Sequence, residues 1–227
     1  MTITLYSLAG ADVSRPFSPH CWKVVMALHH KGLAFQEKPL PFTGIATVEE
    51  GFSKTVPLLK DGAHLVSDSF RIALYLEETY PERPSLFGGE GGKAMARFVE
   101  GFSQTVIHPV ITRIAVGDIH AMLAPTDQAY FRESREKRLG QTLEQLASSR
   151  EAHVQDLPGL LTPLRHMLVN QPFIGGQTPL FADYIVFGAL QWLRIVSGLV
   201  PLPESDPVRG WFESLLDLHD GAGRKVA

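Results

Sequence analysis

A change of hydrophobic period near Gly92 constrains this chain more than any other feature. Up to about residue 80, short apolar runs of strand type alternate with helical stretches, whereas almost everything after Gly92 repeats with helical spacing. Two domains are therefore expected: an α/β domain over residues 1–82 and an all-α domain over 93–227, joined by a Pro/Gly-rich linker at 83–92. A length of 227 residues accommodates both.

Within the first domain, Ile3 to Leu8 reads as a strand, being short, apolar and followed by a Gly-containing loop. A helix begins at Ser18, with Cys21, Val24, Val25 and Leu28 forming one apolar face, and Lys31-Gly32 supplies a C-terminal cation and a stop. Leu33 to Leu40 fits a second strand, and Pro57 to Lys60 and His64 to Val66 fit two more across Asp61-Gly62. Asp68 then starts a helix carrying Ile72, Tyr75 and Leu76. The order is β-α-β, a linking segment, then β-β-α. Beyond the linker, helices are expected at about 93–123, 127–154, 158–169, 181–198 and 207–219. Tyr184 to Leu193 is apolar nearly all round, which suits a helix at the centre of a bundle.

Charge and cysteine content narrow the functional classes. Lys+Arg 21 against Asp+Glu 24 leaves no basic surplus for a nucleic-acid backbone, so nucleic acid is not an expected partner. The single cysteine, Cys21, allows no intramolecular disulfide and fits a reducing compartment. The start MTITLYSLAG lacks the basic and apolar regions of a signal peptide, and no apolar run nears the roughly 18 residues of a membrane span. A cytoplasmic protein without membrane attachment is expected.

Three short segments carry polar groups suited to chemistry. Ser18-Pro19-His20-Cys21 opens the first helix, where free N–H groups and the helix dipole favour a thiolate. It has the layout of a Cys-x-x-Cys redox motif whose leading, exposed cysteine is replaced by a hydroxyl, which excludes dithiol exchange. Cys21, one turn in and on the apolar face, reads as an inert core residue, and Ser18 also reads as a plain helix cap. In Lys54-Thr55-Val56-Pro57, the proline at a strand start requires an edge, a bulge or a cis bond. A cis bond would turn the backbone of Val56 toward a peptide-like ligand, whereas a trans turn would not. At Asp68-Ser69, Ser69 and its N–H suit a carboxylate and Asp68 an ammonium, although simple capping accounts for both.

Other signals are weaker. Gly88-Gly89-Glu90-Gly91-Gly92 has no preceding strand and no Gly-Lys-Ser/Thr, so it reads as linker rather than a phosphate loop. His29-His30 show no metal-ligand spacing, and no metal is expected. Arg132, Arg135, Lys137 and Arg138 interleave with Glu133 and Glu136, the pattern of a solvated, ion-paired helix face.

Together, Ser18, Val56-Pro57 and Asp68-Ser69 resemble the motifs of the glutathione S-transferase superfamily. Zeta-like members have a serine four residues before a tryptophan in the first helix, and Ser18 stands so before Trp22, which selects it over Ser14. Pro41-Phe42-Thr43-Gly44, the run from Ser134 and FIGGQTPLFADY from Phe173 further resemble the bacterial lignin β-aryl etherases and their fungal etherase-related cousins. The likeness departs at Leu180, where the family places Ser, Thr or Asn three residues before the acid that is Asp183 here, so the reciprocal capping box is absent.

The resemblance implies a thioredoxin-like N-terminal domain, an all-α C-terminal domain and a homodimer. It implies glutathione as cosubstrate, with a cis Val56-Pro57 bond, the Val56 backbone on the cysteinyl unit, Asp68 and Ser69 on the γ-glutamyl end, and Lys54 on the glycyl carboxylate. Ser18 would donate to the sulfur and favour its thiolate, which attacks an apolar, aromatic electrophile, with aryl ether cleavage as one form. Detoxification is the corresponding role. A non-catalytic ligand-binding protein of the same fold is the alternative, whose signature would be loss of Ser18 or Asp68-Ser69. Deglutathionylation or dehydroascorbate reduction would require a cysteine in place of Ser18.

Overall fold

The structure, a computed structural model, describes residues 2–226. Four strands, β1 (Ile3–Leu8), β2 (Phe35–Leu40), β3 (Leu58–Asp61) and β4 (His64–Ser67), form one mixed sheet in the order β2-β1-β3-β4. β1 runs parallel to β2 and antiparallel to β3, with Leu5 opposite both Glu37 and Leu59. A parallel β1–β2 pair requires a crossover, which α1 (Pro19–His30) provides. The strand β2 begins at Phe35, two residues later than the expected Leu33. After β4 comes α2 (Ser69–Thr79), completing the thioredoxin-like arrangement.

The linking segment is structured. Phe42–Gly51 makes tight 3₁₀ turns around Val48, Glu49 and Glu50, of which the two glutamates have positive φ of 45° and 58°. Glu49 holds this conformation by accepting from Tyr6 Oη and from Lys60 Nζ at 2.7 Å, the latter an ion pair.

Helices fill the rest: α3 (Glu90–Phe102), α4 (His108–Met122), α5 (Pro125–Leu139), α6 (Leu143–Ser148), α7 (Arg150–Leu160), α8 (Thr162–Leu168), α9 (Phe181–Ser197) and α10 (Pro207–Gly221). The expected helix at 93–123 is two helices joined without a break by a wide turn at Ser103–Ile107. Pro109, which has no N–H to donate to the preceding turn, stands two residues beyond it. The expected helix at 127–154 is a correction: Gly140 adopts φ 68°, ending α5, and Thr142 and Gln145 form a capping box that restarts the chain as α6. Pro158, expected to lie near a helix start, instead sits within α7.

The buried helix is α9, every residue of which from Phe181 to Leu193 is buried. It packs on α1 and also on α3 and α4, so it backs both halves of the molecule. Gly188 permits the approach: a Cβ there would lie 2.4 Å from the carbonyl oxygen of Pro19. Asp183 pins the start of α9, accepting from the N–H groups of Ile174, Gly175 and Leu180 and from Trp211 Nε1 at 2.7 to 3.0 Å. Only this half of a capping box exists, because Leu180 has no side-chain acceptor to return it. Burial pushes the Asp183 carboxyl upward, against the lowering effect of its four donors. None of the helices among the described residues is long and apolar enough to cross a membrane.

Candidate active site

A cavity of about 1020 Å³ opens between the sheet domain and α3–α5. Ser18, Lys54, Val56, Pro57, Asp68 and Ser69, dispersed over 52 positions of sequence, all line it. Two helix starts and one turn bring them together.

Ser18 is the N-cap of α1, with Pro19 at the first helical position. Its Oγ accepts from the N–H of Cys21 at 3.4 Å. As a donor, the hydroxyl meets no oxygen or nitrogen acceptor among the described residues, only the sulfur of Cys21, so its proton is available to a stronger acceptor such as a thiolate. Capping and donation are compatible, because the first uses a lone pair and the second the O–H. Ser18 was expected to be exposed, yet its residue is only 5% accessible, recessed in the wall of the cavity. Cys21 lies in the core as expected, and burial pushes its thiol up to about 12, although Ser18 counteracts this. A thiol so shifted is no nucleophile at neutral pH.

The Val56-Pro57 bond is cis. Strand pairing begins only at Leu58, and neither the N–H nor the C=O of Val56 is paired among the described residues. Val56 and Pro57 line the cavity, so this donor and acceptor form a short strand edge there. Asp68 caps α2, accepting from the N–H groups of Phe70 and Arg71 at 3.0 and 2.9 Å, and does so with φ 76°. Ser69, the first residue of α2, is buried beside it and lines the cavity. Lys54 is exposed at the rim.

Where α1 meets the helical domain stand groups that the sequence motifs do not reveal. Lys23, fully buried, donates to both carboxylate oxygens of Glu100 at 2.9 Å and lies 3.2 Å from His20 Nδ1. Burial lowers its ammonium from the usual lysine range while Glu100 opposes that shift. The pair ties α1 to α3, and Gln104 Nε2 donates to Glu100 at 3.3 Å beside it. His108 stacks between His20 and Trp192, with ring centroids at 5.2 and 5.7 Å. Desolvation first, then the charge of Lys23, drive its imidazole down to about 3, so it is neutral at any physiological pH. Its Nε2 and the Nε1 of Trp192 are buried without partners.

Phe17, Phe42, Tyr130 and Phe131 form an aromatic wall, their neighbouring rings 5.5 to 6.4 Å apart. Asp127 joins it to the sheet domain by accepting from the N–H groups of Phe42 and Thr43 at 2.7 and 3.0 Å. The Arg132–Arg138 run departs from the expected solvated face. Arg132 is ion-paired to Glu136 and Glu144 as expected, but Arg135 and Arg138 turn to line the cavity. Their distance of three residues was the available signal, since it puts both on one side of α5.

Comparison with known proteins decides the family. Sequence profiles of the glutathione S-transferase N-terminal and C-terminal domains match residues 13–84 and 94–202. The chain belongs to the glutathione S-transferase superfamily. Curated members resemble it at modest identity: the glutathione S-transferase-like protein ustS of Aspergillus flavus is 24% identical over 79% of this chain and 75% of its own length. A zeta-class glutathione S-transferase of Euphorbia esula is 27% identical over 66% of this chain and 72% of its own. Among solved structures, glutathione transferase GSTFuA3 from Phanerochaete chrysosporium superposes with a TM-score of 0.77 at 27% identity, covering 97% of this chain and 92% of that one. CsGST63524 of Ceriporiopsis subvermispora, solved in complex with glutathione, gives a TM-score of 0.81 at 23% identity over 95% of both chains. This last likeness is one of fold. Glutathione S-transferase architecture accounts for the division of the cavity between a sheet-domain half and a helical half.

Proposed function

We propose that the protein is a glutathione transferase that activates the thiol of glutathione for attack on an aromatic electrophile. The observation that carries this reading is the convergence of Ser18, Val56-Pro57 and Asp68-Ser69 on one cavity, each with hydrogen-bonding capacity unspent. The Val56 backbone matches a peptide unit, the Ser69 hydroxyl and the start of α2 match a carboxylate, and Asp68 matches an ammonium. Lys54 at the rim suits the glycyl carboxylate. Residues 1–82 would form the glutathione-binding unit and 93–227 the electrophile-binding one, with 83–92 between them.

Free thiols titrate near 8.5, so at neutral pH only a few per cent of glutathione is thiolate. Donation from Ser18, at the positive end of α1, would lower that value by a unit or two. The thiol proton passes to solvent. The sulfur then bonds to the electrophilic carbon, and the leaving group departs with the electron pair, as phenolate where an aryl ether is cleaved. Ser18 is not read as a covalent nucleophile: His20 Nδ1 faces Lys23, and among the described residues no imidazole–carboxylate pair adjoins the hydroxyl. The aromatic wall supports an aromatic electrophile. The active form would be a homodimer.

The test is turnover of aryl ethers, chloronitroaromatics and maleyl compounds with glutathione. Conversion of at least one class, lost on omitting glutathione, is expected. Glutathione binding without turnover of any would favour the ligand-binding alternative.

A further inference from the structure

Of the ten arginines of the helical domain, Arg97 lies over the Phe70 ring, 3.5 Å from its centroid, and Arg194 donates to the carbonyls of Gly223 and Val226; the other eight divide into two groups. Arg132, Arg150, Arg165, Arg209 and Arg224 each meet a carboxylate at 2.9 Å or less. Arg113, Arg135 and Arg138, by contrast, line the cavity and form no ion pair among the described residues. Arg113 donates only to the carbonyl of Pro109 one turn back, at 3.2 Å, and Arg135 only to Ser134 Oγ, at 2.9 Å.

Arg135 is also committed to the aromatic wall. Its guanidinium carbon lies 4.6 Å from the ring centroid of Phe131 and 5.4 Å from that of Phe42. Half-buried between these rings and beside Arg138, it has lost solvent without gaining a counter-ion, and both desolvation and the neighbouring charge lower its affinity for its proton. Buried cations are normally paired, and guanidinium groups bind carboxylates in a fork geometry that an ammonium cannot reproduce. Of the two carboxylates on the cavity, Glu100 is paired with Lys23, and Asp68, which caps α2 through Oδ1, forms no ion pair with these arginines among the described residues.

We infer that Arg113, Arg135 and Arg138 form an anion subsite selecting aromatic electrophiles that carry a carboxylate or a similar anionic group on the ring. The ring lies against the aromatic wall and its anion supplies the missing counter-charge. This rests on the transferase reading and adds a substrate class to it. The glycyl carboxylate of glutathione is the competing occupant.

Two substrates that differ in charge and by one methyl group provide the test: 4-chloro-3,5-dinitrobenzoate and its methyl ester. With either, the carbon–sulfur bond of the conjugate forms, the carbon–chlorine bond breaks and chloride leaves with the electron pair. Each kcat/KM is divided by the rate of the uncatalysed reaction. The benzoate is expected to be preferred tenfold or more. The ratio should fall toward unity in the triple variant Arg113→Met, Arg135→Met, Arg138→Met. Arg138→Met alone, at an exposed position, should lower it without risk to folding, and Arg135→Lys should restore only part of the preference.

A second arm needs no turnover: calorimetry of unreactive 3,5-dinitrobenzoate and its methyl ester. Tighter binding of the anion, lost in the triple variant, supports the subsite even if neither chloride is converted, in which case the transferase reading alone fails. Equal binding of the two by the unaltered protein overturns the subsite, however well the chloro ester is turned over. So does a loss of glutathione affinity in the variants with the benzoate-to-ester ratio unchanged, which reassigns the arginines to the glycyl carboxylate.

Discussion

The two walls of the cavity are built differently. The sheet-domain wall presents groups whose positions are set by the main chain: Ser18 and Asp68 are helix caps, and Val56 offers only its backbone before a cis proline. The helical wall presents side chains on regular helices, the rings of Tyr130 and Phe131 and three guanidiniums from α4 and α5, with Phe42 of the sheet domain packed against those rings. Altering a cap disturbs the helix it begins, whereas Arg138 or Tyr130 can change with little effect on the helix that bears it. A fixed cosubstrate suits the first wall, and a substrate that differs between relatives suits the second.

The contrast breaks most completely at their shared support. Asp183→Ala would strand four donors around the start of α9, at a cost on the order of 4 kcal/mol. Denaturant unfolding should register it, and both walls should be lost together. Survival of glutathione binding with loss of electrophile binding would show that α9 does not support them jointly.

Acid should act at the seam. His108 lies between His20 on α1 and Trp192 on α9, and its folded value of about 3 is below the unfolded 6.5. Its contribution to stability is therefore complete above about pH 6.5 and declines as pH falls toward 3. The unfolded chain takes up the proton first, at up to about 1.4 kcal/mol per pH unit. Stability measured from pH 7 to pH 4 should fall less steeply for His108→Phe than for the unaltered protein. Parallel curves would remove His108 from the acid response.

Asp127→Ala sharpens the comparison by detaching the aromatic wall from the turn at Phe42. Two unpaired N–H groups should cost about 2 kcal/mol. The KM for an aromatic electrophile should rise several-fold while that for glutathione changes less; the reverse order would place Asp127 in support of the sheet-domain wall.

The same contrast determines how much could be read in the sequence. Ser18, Val56-Pro57 and Asp68-Ser69 are recognisable because special backbone positions restrict residue choice, and the strands and the buried α9 follow from unambiguous periodicity. The break at Gly140–Thr142 was hidden because the helical spacing resumes almost in phase on either side of it. Glu100, Gln104 and His108 were hidden because polar residues on a helix look alike whether they face solvent or a cavity. The Arg135–Arg138 pair illustrates this: the interleaved charges indicate a solvated face, and only the packing of α5 against Phe42 turns one edge of it inward.

The smallest expected effect bears most directly on the mechanism. Ser18 and Cys21 are one turn apart, the one with an O–H at the cavity and the other with a buried thiol held near 12. Thiolate absorbance of bound glutathione should be followed across a pH titration for the unaltered protein, Ser18→Ala and Cys21→Ala, with turnover measured alongside. Ser18→Ala should raise the thiol pKa by a unit or more and cut turnover at neutral pH about tenfold, equivalent to about 1.4 kcal/mol of barrier, while Cys21→Ala should cost mainly stability. If Ser18→Ala left both pKa and rate intact while Cys21→Ala abolished activity, the hydroxyl would have no part in activating the thiol and a cysteine-dependent mechanism would take its place.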